Sequence, residues 1–375
     1  MRKRLHSCRP ERFQNVSAGL YPPDFSRLDT VPVTIYDIAN RAGVSIATVS
    51  RVFNESPRVS AKTRASVLEI ATQLGYRPHA TARSLALRKS SIVSAVIPML
   101  TNYFFVEILR GLQDRMAQSE YDLLVFAART LDEVDVQMDR ALQRGQSAGV
   151  LVFSSPMDET RVARLKQSGQ TVVLVDCMHE GMDGVTTNNV HGGNLATRHL
   201  IDSGCKHIGL LMANRSSVPA RDRRVGYEQA LAADGRCSES LVVVSTDTDQ
   251  DGYTEKAGHA AMQELLASKQ PLDGIFATSD VQAIGALQAI REAGLRVPQD
   301  IRVVGFDDIL LSRHVGLTTV RQPMYEMGVI AAERLISRIE MPTETQAQTV
   351  LTPKLVVRRT TDENQVMEFQ TWATA

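Results

Sequence analysis

The chain is poor in cysteine and in aromatic residues. Only four of its 375 residues are cysteine and one is tryptophan. The four thiols, at Cys8, Cys177, Cys205 and Cys237, are far apart and show no CxxC or other metal-ligand spacing. This distribution excludes a disulfide-stapled scaffold and a structural zinc site, and it is typical of reduced thiols in a cytoplasmic protein. We therefore expect no metal and a cytoplasmic location.

Long apolar runs are also absent. Apolar runs such as those at 149–153 and 171–175 have the length of a β-strand, far short of the roughly 20 residues that a membrane helix needs. Arg2, Lys3 and Arg4 follow the first methionine, but no apolar segment follows them, as a secretory signal requires. We expect neither export nor a membrane partner.

Common catalytic motifs are missing as well. The sequence contains no GxSxG, P-loop or HExxH motif, and no GxGxxG follows a β-rich run. The acidic and histidine residues are explained without catalysis. We predict that the protein is not an enzyme, with no catalytic residue and no cofactor.

Charge is balanced over the whole chain but not along it. Lysine and arginine number 42, as do aspartate and glutamate, yet residues 1–90 carry 15 basic and 6 acidic side chains. A basic segment is the electrostatic footprint of phosphate contact, and the acidic remainder is repelled from DNA. The distribution predicts a basic DNA-binding head on an acidic body.

Residues 34–64 have the pattern of a helix-turn-helix. Thr34, followed three residues later by Asp37, resembles a capping box with Asp in place of Glu. Gly43 supplies the positive φ that ends this first helix, and Ser45 can cap a second one. The spacing predicts an inward face on that second helix from Val49, Val52 and Phe53. Its other face is the candidate DNA-reading surface.

From about residue 91, short β-rich runs alternate with helical patterns. About ten such runs are apolar on both faces and most are followed by a helix, which predicts parallel sheets covered on both sides. Ten strands are too many for one compact unit, so we predict two similar α/β lobes. Ligands bind at the carboxyl ends of such strands, which places the expected site in the cleft between the lobes.

Seven blocks of sequence carry a family likeness. They read VTIYDIA at 33–39, GVSIATVSRV at 43–52, SAKTR at 60–64, GYRP at 75–78, ARSL at 82–85, VVGFDD at 303–308 and LTTVRQP at 317–323. In this order they resemble the signature blocks of the lac-repressor/galactose-repressor family of bacterial transcription regulators, and the likeness spans about 31–361. It implies a two-lobed periplasmic-binding-protein-like effector domain of parallel sheets, preceded by an all-α helix-turn-helix head and a hinge helix.

The resemblance implies five segments. They are a disordered tail at 1–30, a helix-turn-helix domain at 31–77, a hinge helix and linker at 78–90, an effector-binding and dimerisation domain at 91–361, and a tail at 362–375. Within the effector domain, lobe 1 is expected at about 91–187 plus 323–350. Lobe 2 is expected at about 188–322 plus 351–361.

In this family the second helix of the head enters the major groove, and the base-contacting positions are here Ile46, Ala47 and Arg51. A guanidinium can bridge O6 and N7 of guanine, so Arg51 is the expected direct reader. Ile46 and Ala47 are apolar and can read only shape or a thymine methyl, or simply pack against the backbone. Arg58 contacts either a base or a phosphate. The other predicted DNA contacts, mostly to phosphates, are Thr34, Thr48, Ser50, Asn54, Ser60 and Thr63.

The hinge is implied by the resemblance alone. Pro78 is expected to end the third helix, and residues 79–87 resemble the family's hinge helix. Leu85 corresponds to the leucine that relatives insert into the minor groove, where it kinks the duplex. Without the family, Leu85 is one apolar residue in a helical linker. His79 replaces the Asn of many relatives, which predicts mildly pH-sensitive hinge folding.

Aromatic and charged residues are implied at the effector site. Tyr103, Phe104 and Phe105 follow the first strand of lobe 1, where relatives stack a ring on a sugar or base. Arg223 matches the family's arginine that grips ligand hydroxyls, and Asp307 offers a carboxylate opposite it.

Two more effector residues, Asp280 and Gln322, are implied close by, although Asp280 alternatively caps the helix that begins there. Asn188, followed by Asn189, stands where many relatives have an Asp, so any role that needs a charge at 188 is in doubt.

The resemblance predicts a homodimer that reads a near-palindromic double-stranded operator and is switched by a small molecule. Galactose-type likeness at 195–201, 306–313 and 318–321 favours a sugar. The alternatives are a nucleoside- or purine-responsive regulator of the same family and a sugar-binding receptor. No leucine heptads follow Thr361, so a coiled-coil tetramer is not expected.

Overall fold

The computed structural model describes residues 33–53, 56–76, 90–143, 147–236 and 241–365. Two compact units divide the chain, Met1–Arg83 and Ser84–Ala375, here called the head and the body. The predicted tail at 1–30, Asn54, almost all of the predicted hinge with Leu85, and residues 366–375 lie outside the described part.

Three helices form the head: α1 (Ile35–Ala42), α2 (Ile46–Phe53) and α3 (Ala61–Gln73). The predicted capping box is confirmed, since the backbone N–H and the hydroxyl of Thr34 both donate to Asp37 Oδ2 at 2.7 Å. Gly43 has a φ of 65° and ends α1. The N–H of Thr48 donates to Ser45 Oγ at 3.1 Å, which confirms the cap of α2.

The predicted inward face of α2 is confirmed. Val49 and Val52 are fully buried, and Phe53 is half-buried with its ring centroid 5.6 Å from that of Tyr76. Apolar side chains of all three helices form this small core: Ile38, Ala39, Val49, Val52, Val67 and Ala71. Burial of these side chains fixes which face of α2 stays in solvent.

The third helix ends earlier than expected. It stops at Gln73, the N–H of Leu74 donates to Ile70 O, and Gly75 turns the chain with a φ of 64°. The prediction that Pro78 ends this helix is therefore wrong. A glycine in the left-handed conformation ends a helix at no steric cost, so no proline is needed for this end.

The body has the two predicted α/β lobes, each with a six-stranded sheet, which makes twelve strands instead of the expected ten or so. Lobe 1 contains one sheet in the order β11-β5-β4-β3-β1-β2, and all of its strand pairs are parallel. Its strands are β1 (Ile92–Pro98), β2 (Asp122–Ala128), β3 (Gly149–Phe153), β4 (Thr171–Val175), β5 (Asp183–Thr187) and β11 (Gln348–Leu351).

Lobe 2 contains the other sheet, in the order β12-β10-β9-β8-β6-β7. Its strands are β6 (Ile208–Met212), β7 (Val242–Val244), β8 (Gly274–Ala277), β9 (Arg302–Asp307), β10 (Thr318–Arg321) and β12 (Lys354–Val356). One pair departs from the expected parallel order, because β12 runs antiparallel to β10. Only two residues separate β11 from β12, so the chain passes directly from one sheet to the other without a crossover helix.

Helices cover both sheets. Lobe 1 carries α4 (Tyr103–Met116), α5 (Leu131–Ala141), α6 (Glu159–Ser168) and α12 (Met324–Glu340), and lobe 2 carries α7 (Asn189–Asp202), α8 (Val218–Ala233), α9 (Glu255–Ala267), α10 (Asp280–Glu292) and α11 (Leu310–His314). The chain crosses between the lobes three times, after β5, after β10 and after β11. In the described part of the chain, no helix has both the length and the apolar content to cross a membrane.

A pair of glycines lets α7 and α8 approach closely. A Cβ atom at Gly193 would lie 2.1 Å from the backbone oxygen of Arg223, and one at Gly226 would lie 2.0 Å from the backbone oxygen of Val190. Neither position can accept a side chain without moving a helix backbone. This contact fixes α8, and with it Arg223, over the carboxyl ends of the lobe 2 strands.

Candidate functional site

The face of α2 that the sequence predicts to read DNA is exposed. The side chain of Ile46 is 40% exposed, Ala47 and Arg51 lie on the same outer surface, and Thr48 and Ser50 are half-buried beside them. The structure thus brings together five of the residues predicted to contact DNA. Tyr36 on α1 is 62% exposed, an aromatic side chain that the sequence reasoning did not include.

One of the hydroxyls predicted to contact phosphate, that of Ser60, caps a helix. Ser60 Oγ accepts the N–H of Thr63 at 3.2 Å, in the same arrangement as Ser45 with Thr48. The exposed N-termini of α1, α2 and α3 therefore carry the hydroxyls of Thr34, Ser45 and Ser60. Helix N-termini are favourable places for phosphate.

Arg64 is a residue whose role only the structure defines. Its Nη1 donates to Val52 O at 3.2 Å and its Nη2 donates to Ser56 O at 2.7 Å. These two carbonyls lie at the end of α2 and in the loop after it, so Arg64 anchors the reading helix. Arg58, in contrast, is exposed on that loop.

In the body, the carboxyl ends of the strands border a cleft between the lobes. Five non-glycine residues that line the cleft have positive φ: Met99 (51°), Ser154 (41°), Asp176 (56°), Asp251 (51°) and Asp307 (120°). All of them except Asp251 lie at the ends of strands, which are β1, β3, β4 and β9. Strained backbone of this kind is concentrated at functional sites.

Arg223 is the buried cation of the cleft. Its Nε donates to Asn189 Oδ1 at 2.8 Å and its Nη1 to Thr278 O at 2.6 Å. The guanidinium carbon lies 3.8 Å from the centroid of the Phe306 ring, a cation–π contact. The group is therefore held in one orientation before any ligand arrives.

Asp307 lies opposite this cation. Its Oδ1 is 3.7 Å from Arg223 Nη1 and accepts a hydrogen bond from Gln322 Nε2 at 2.7 Å. Burial raises the pKa of the Asp307 carboxyl above its ordinary range, against the opposing effect of Arg223. Gln322 does not border the cleft and contacts it only through Asp307.

Asp176 is a second buried carboxylate in the cleft, and sequence reasoning missed it. Its Oδ2 accepts from Ser154 Oγ at 2.7 Å, while its Oδ1 has no hydrogen-bond partner among the described residues. Burial raises the pKa of Asp176 to about 6. A buried carboxylate oxygen without a partner is costly, which points to a donor supplied by a ligand. Only its position immediately after a buried strand could have suggested it.

The three predicted aromatic residues separate. Phe104 and Phe105 line the cleft, with their rings 5.2 Å apart and edge to face. Tyr103 does not line it, and its side chain is 44% exposed. Tyr253 was not predicted, but it lines the cleft, with its hydroxyl 2.6 Å from Ser217 Oγ.

Asp280 is fully buried away from the cleft. Its carboxylate accepts from the N–H of Ile309 at 2.9 Å and from the hydroxyls of Ser312 and Thr319, each at 2.5 Å. Burial and the neighbouring Asp307 raise its pKa far above the ordinary value. Ser279, rather than Asp280, caps α10, since its Oγ accepts from the N–H of Gln282. The structure thus gives Asp280 an internal role in lobe 2.

Asn188 and Asn189 have different roles. Asn188 Oδ1 caps α7 by accepting from the N–H of His191 at 3.0 Å, a role that needs no charge. Asn189 orients Arg223, as described above. Within the described ranges, no group of three or more His, Cys, Asp or Glu residues could hold a metal ion.

Two family profiles match the chain. One, described as bacterial regulatory proteins of the lacI family, covers residues 34–79, and the other, a periplasmic binding protein-like domain, covers residues 197–361. The ribose operon repressor of Halalkalibacterium halodurans is 35% identical over 333 residues, which cover 88% of this chain and 97% of that protein.

Two solved structures of transcription regulators also resemble this chain. A lac repressor dimer bound to operator and the anti-inducer ONPF is 27% identical with a TM-score of 0.76. A complex of the transcriptional regulator CelR with cellobiose is 30% identical with a TM-score of 0.66. Each match covers 88% of this chain and 99% of the other.

Proposed function

The chain belongs to the lacI family of bacterial regulatory proteins, and from this premise we propose that it represses a carbohydrate-utilisation operon. It binds operator DNA sequence-specifically through the head, and a sugar bound in the cleft of the body switches that affinity. It acts as a homodimer on a near-palindromic operator, because two-fold symmetry of the protein requires two half-sites. As a DNA-bound regulator it belongs with the nucleoid in the cytoplasm.

One observation carries the choice of a sugar: the arrangement of Arg223 between buried carboxylates. Its Nε and Nη1 are already bonded within the protein, and its Nη2 has no hydrogen-bond partner in the described residues. Asp176 and Asp307 offer acceptors nearby, and the rings of Phe104 and Phe105 border the same cleft. Donors and acceptors beside an aromatic wall suit a polyol, whose hydroxyl groups both give and accept hydrogen bonds.

We assign effector contacts to Asp176, Arg223, Asp307, Phe104, Phe105 and Tyr253. Gln322 positions Asp307, and Asp280 and Tyr103 have no direct part in this assignment. We propose that the cleft binds its ligand without converting it chemically. Because effector and operator are linked through one protein, a sugar that weakens operator binding must itself bind less well to the operator complex.

We assign DNA contacts to the exposed face of α2. Arg51 reads a base, and Ile46 and Ala47 contribute shape or methyl recognition. Thr34, Thr48, Ser50, Ser60, Thr63 and Arg58 meet the phosphates, which positions the head without reading sequence. The roles of Asn54 and of Leu85, as the minor-groove wedge of a hinge at 78–90, remain predictions from the family.

Operator binding is tested by fluorescence anisotropy on a palindromic duplex selected from a random library with the full-length protein. Arg51→Ala should weaken binding by roughly 1–3 kcal/mol and relax preference at one base pair of each half-site. Arg41→Ala, on the exposed surface of α1, is the matched control for loss of one charge. The proposal is contradicted if the affinity for the duplex does not depend on salt and Arg51→Ala binds the duplex as tightly as the parent protein.

The effector class is tested separately by thermal shift against a panel of free sugars and nucleobases. A sugar present at about 100 times its dissociation constant should stabilise the protein by about 2.7 kcal/mol. The same sugar should change operator affinity in the anisotropy assay. Stabilisation by nucleobases alone would favour the purine-responsive alternative.

A further inference from the structure

A strained segment of lobe 2 borders the cleft. This segment, here called the strap, comprises Asp249–Gly252 and Tyr253. Three consecutive residues in it have positive φ: Gln250 (45°), Asp251 (51°) and Gly252 (80°). Two of them are not glycine, so this backbone is unfavourable unless surrounding contacts hold it.

Contacts within lobe 2 hold one side of the strap. The N–H of Asn214 donates to Asp251 O at 2.9 Å, and the N–H of Tyr253 donates to Gln250 O at 2.9 Å. The hydroxyl of Tyr253 lies 2.6 Å from Ser217 Oγ. These bonds shape the strap, but none of them crosses the cleft.

A side chain of lobe 1, Asn102, holds the strap from the other side. Asn102 Nδ2 donates to Gln250 Oε1 at 3.2 Å and lies 3.4 Å from Tyr253 O, a second and longer hydrogen bond. The Oδ1 atom of the same side chain accepts from the N–H of Phe104 at 3.1 Å and caps α4. Asn102 thus caps α4 of lobe 1 with its Oδ1 and hydrogen-bonds to the strap of lobe 2 with its Nδ2.

We propose that Asn102 and Gln250 form a latch that keeps the cleft closed in the effector-free protein. Asn102, Asp251 and Tyr253 all line the cleft, so the strap cannot swing outward while the latch is made. The bonds are neutral and few, which makes the latch weak enough to open often. Its biological meaning, control of effector access, rests on the proposed function, whereas the latch itself does not.

The test is hydrogen exchange, followed by mass spectrometry, on the effector-free, DNA-free full-length protein. Asn102→Asp keeps the oxygen that caps α4 but replaces the donor nitrogen with an oxygen that repels Tyr253 O. It is combined with Gln250→Ala, because the Gln250 amide would otherwise turn over and donate to the new carboxylate. We expect exchange in peptides covering 248–254 to become roughly five- to tenfold faster, the effect of losing one to two weak hydrogen bonds. Peptides covering 103–106 should stay protected, because the cap remains.

Gln113→Glu is the matched control, since it adds the same negative charge to an exposed position on α4 and should leave the strap unchanged. The double variant Asn102→Asp with Gln250→Lys restores attraction across the cleft and should return strap exchange toward the parent rate. If the variant Asn102→Asp with Gln250→Ala does not fold, Gln250→Ala alone opens the latch from the strap side.

Unchanged strap exchange in the variant Asn102→Asp with Gln250→Ala, or an equal increase in Gln113→Glu, overturns the latch. Since neither sugar nor DNA is present, this result is independent of whether the protein represses an operon. Failure of operator binding by the parent would in turn leave the exchange result standing.

Discussion

Arg223 Nη1 lies 3.7 Å from Asp307 Oδ1, and both side chains are almost completely buried. The pair is not an isolated salt bridge, because Asn189, Thr278 and the Phe306 ring fix the guanidinium while Gln322 fixes the carboxylate. Such a pair is organised before the ligand binds, and preorganisation lowers the entropic cost of binding.

Arg223→Lys should weaken the response to sugar while leaving effector-free operator binding intact. A lysine cannot reproduce bonds to both Asn189 and Thr278 or the stacking on Phe306. We expect at least a tenfold weaker effector affinity in the thermal-shift titration, about 1.4 kcal/mol or more. Arg221→Lys, an exposed position two residues earlier on α8, is the control and should behave as the parent. Full sugar response in Arg223→Lys would exclude a direct role for Arg223.

Asp176→Asn should stabilise the effector-free protein, and the gain should depend on pH. Burial raises the pKa of Asp176 to about 6 in the folded state, above its ordinary unfolded value. The folded state therefore holds the proton more tightly, and the charged carboxylate destabilises it increasingly as pH rises from about 4 to about 6. The variant should gain roughly 2–3 kcal/mol at pH 8 and almost nothing at pH 4.

Thermal or urea unfolding at both pH values measures this difference. Asp202→Asn, at an exposed carboxyl at the end of α7, is the matched control for the loss of one carboxylate charge. The same Asp176→Asn protein should bind sugar more weakly, because Asn offers one acceptor fewer. A variant less stable than the parent at pH 8 would show that the carboxylate has a partner we have not identified.

Arg64 and Arg58 should affect DNA binding in different ways. Arg64→Gln removes bonds to Val52 O and Ser56 O and loosens α2, so affinity should fall for every operator while the salt dependence keeps its slope. Arg58→Gln removes one exposed charge, so the slope of log affinity against log salt should decrease by about one. Anisotropy titrations over a series of salt concentrations separate the two effects. A reduced slope for Arg64→Gln would instead place its charge on a phosphate.

The cleft should prefer uncharged sugars to sugar phosphates and uronates. Asp176, Asp251 and Asp307 line it, with Arg223 as the cation among the lining residues. An anionic ligand would meet like charges in a partly dry cleft, where repulsion is poorly screened. Thermal shifts with galactose, ribose and glucose, each compared with its phosphate, check this preference. Stronger stabilisation by the phosphates would contradict it.

Much of the head could be predicted because its signals are local. Each signal acts within three or four residues: Thr34 with Asp37 starts α1, Gly43 ends it, and Ser45 with Thr48 starts α2. The error at Pro78 has the same origin, since Gly75 is an equally local signal that ends α3 three residues earlier. Most strands of the body were also predicted, because buried parallel strands are continuous apolar runs.

The candidate effector site was only partly predictable. Arg223 and Asp307 came from motifs, and both line the cleft. Asp280 stands in an equally suggestive motif, yet Ile309, Ser312 and Thr319 hold its carboxylate inside lobe 2. Tyr103 and Phe104 are neighbours in sequence, but successive residues of a helix point in different directions and only Phe104 reaches the cleft.

The sequence by itself determined the family, the helix-turn-helix and the alternating α/β pattern, because each depends on spacing within a few residues or on whole blocks in order. Only the tertiary structure decided that Asp176 joins Arg223 and Asp307, and that Asn102 meets Gln250 across 148 positions of sequence. The physical reason is topological. Parallel strands end at one edge of a sheet whatever their order in the chain, so residues without a common motif converge there, and their hydrogen bonds depend on backbone conformations that no local pattern encodes.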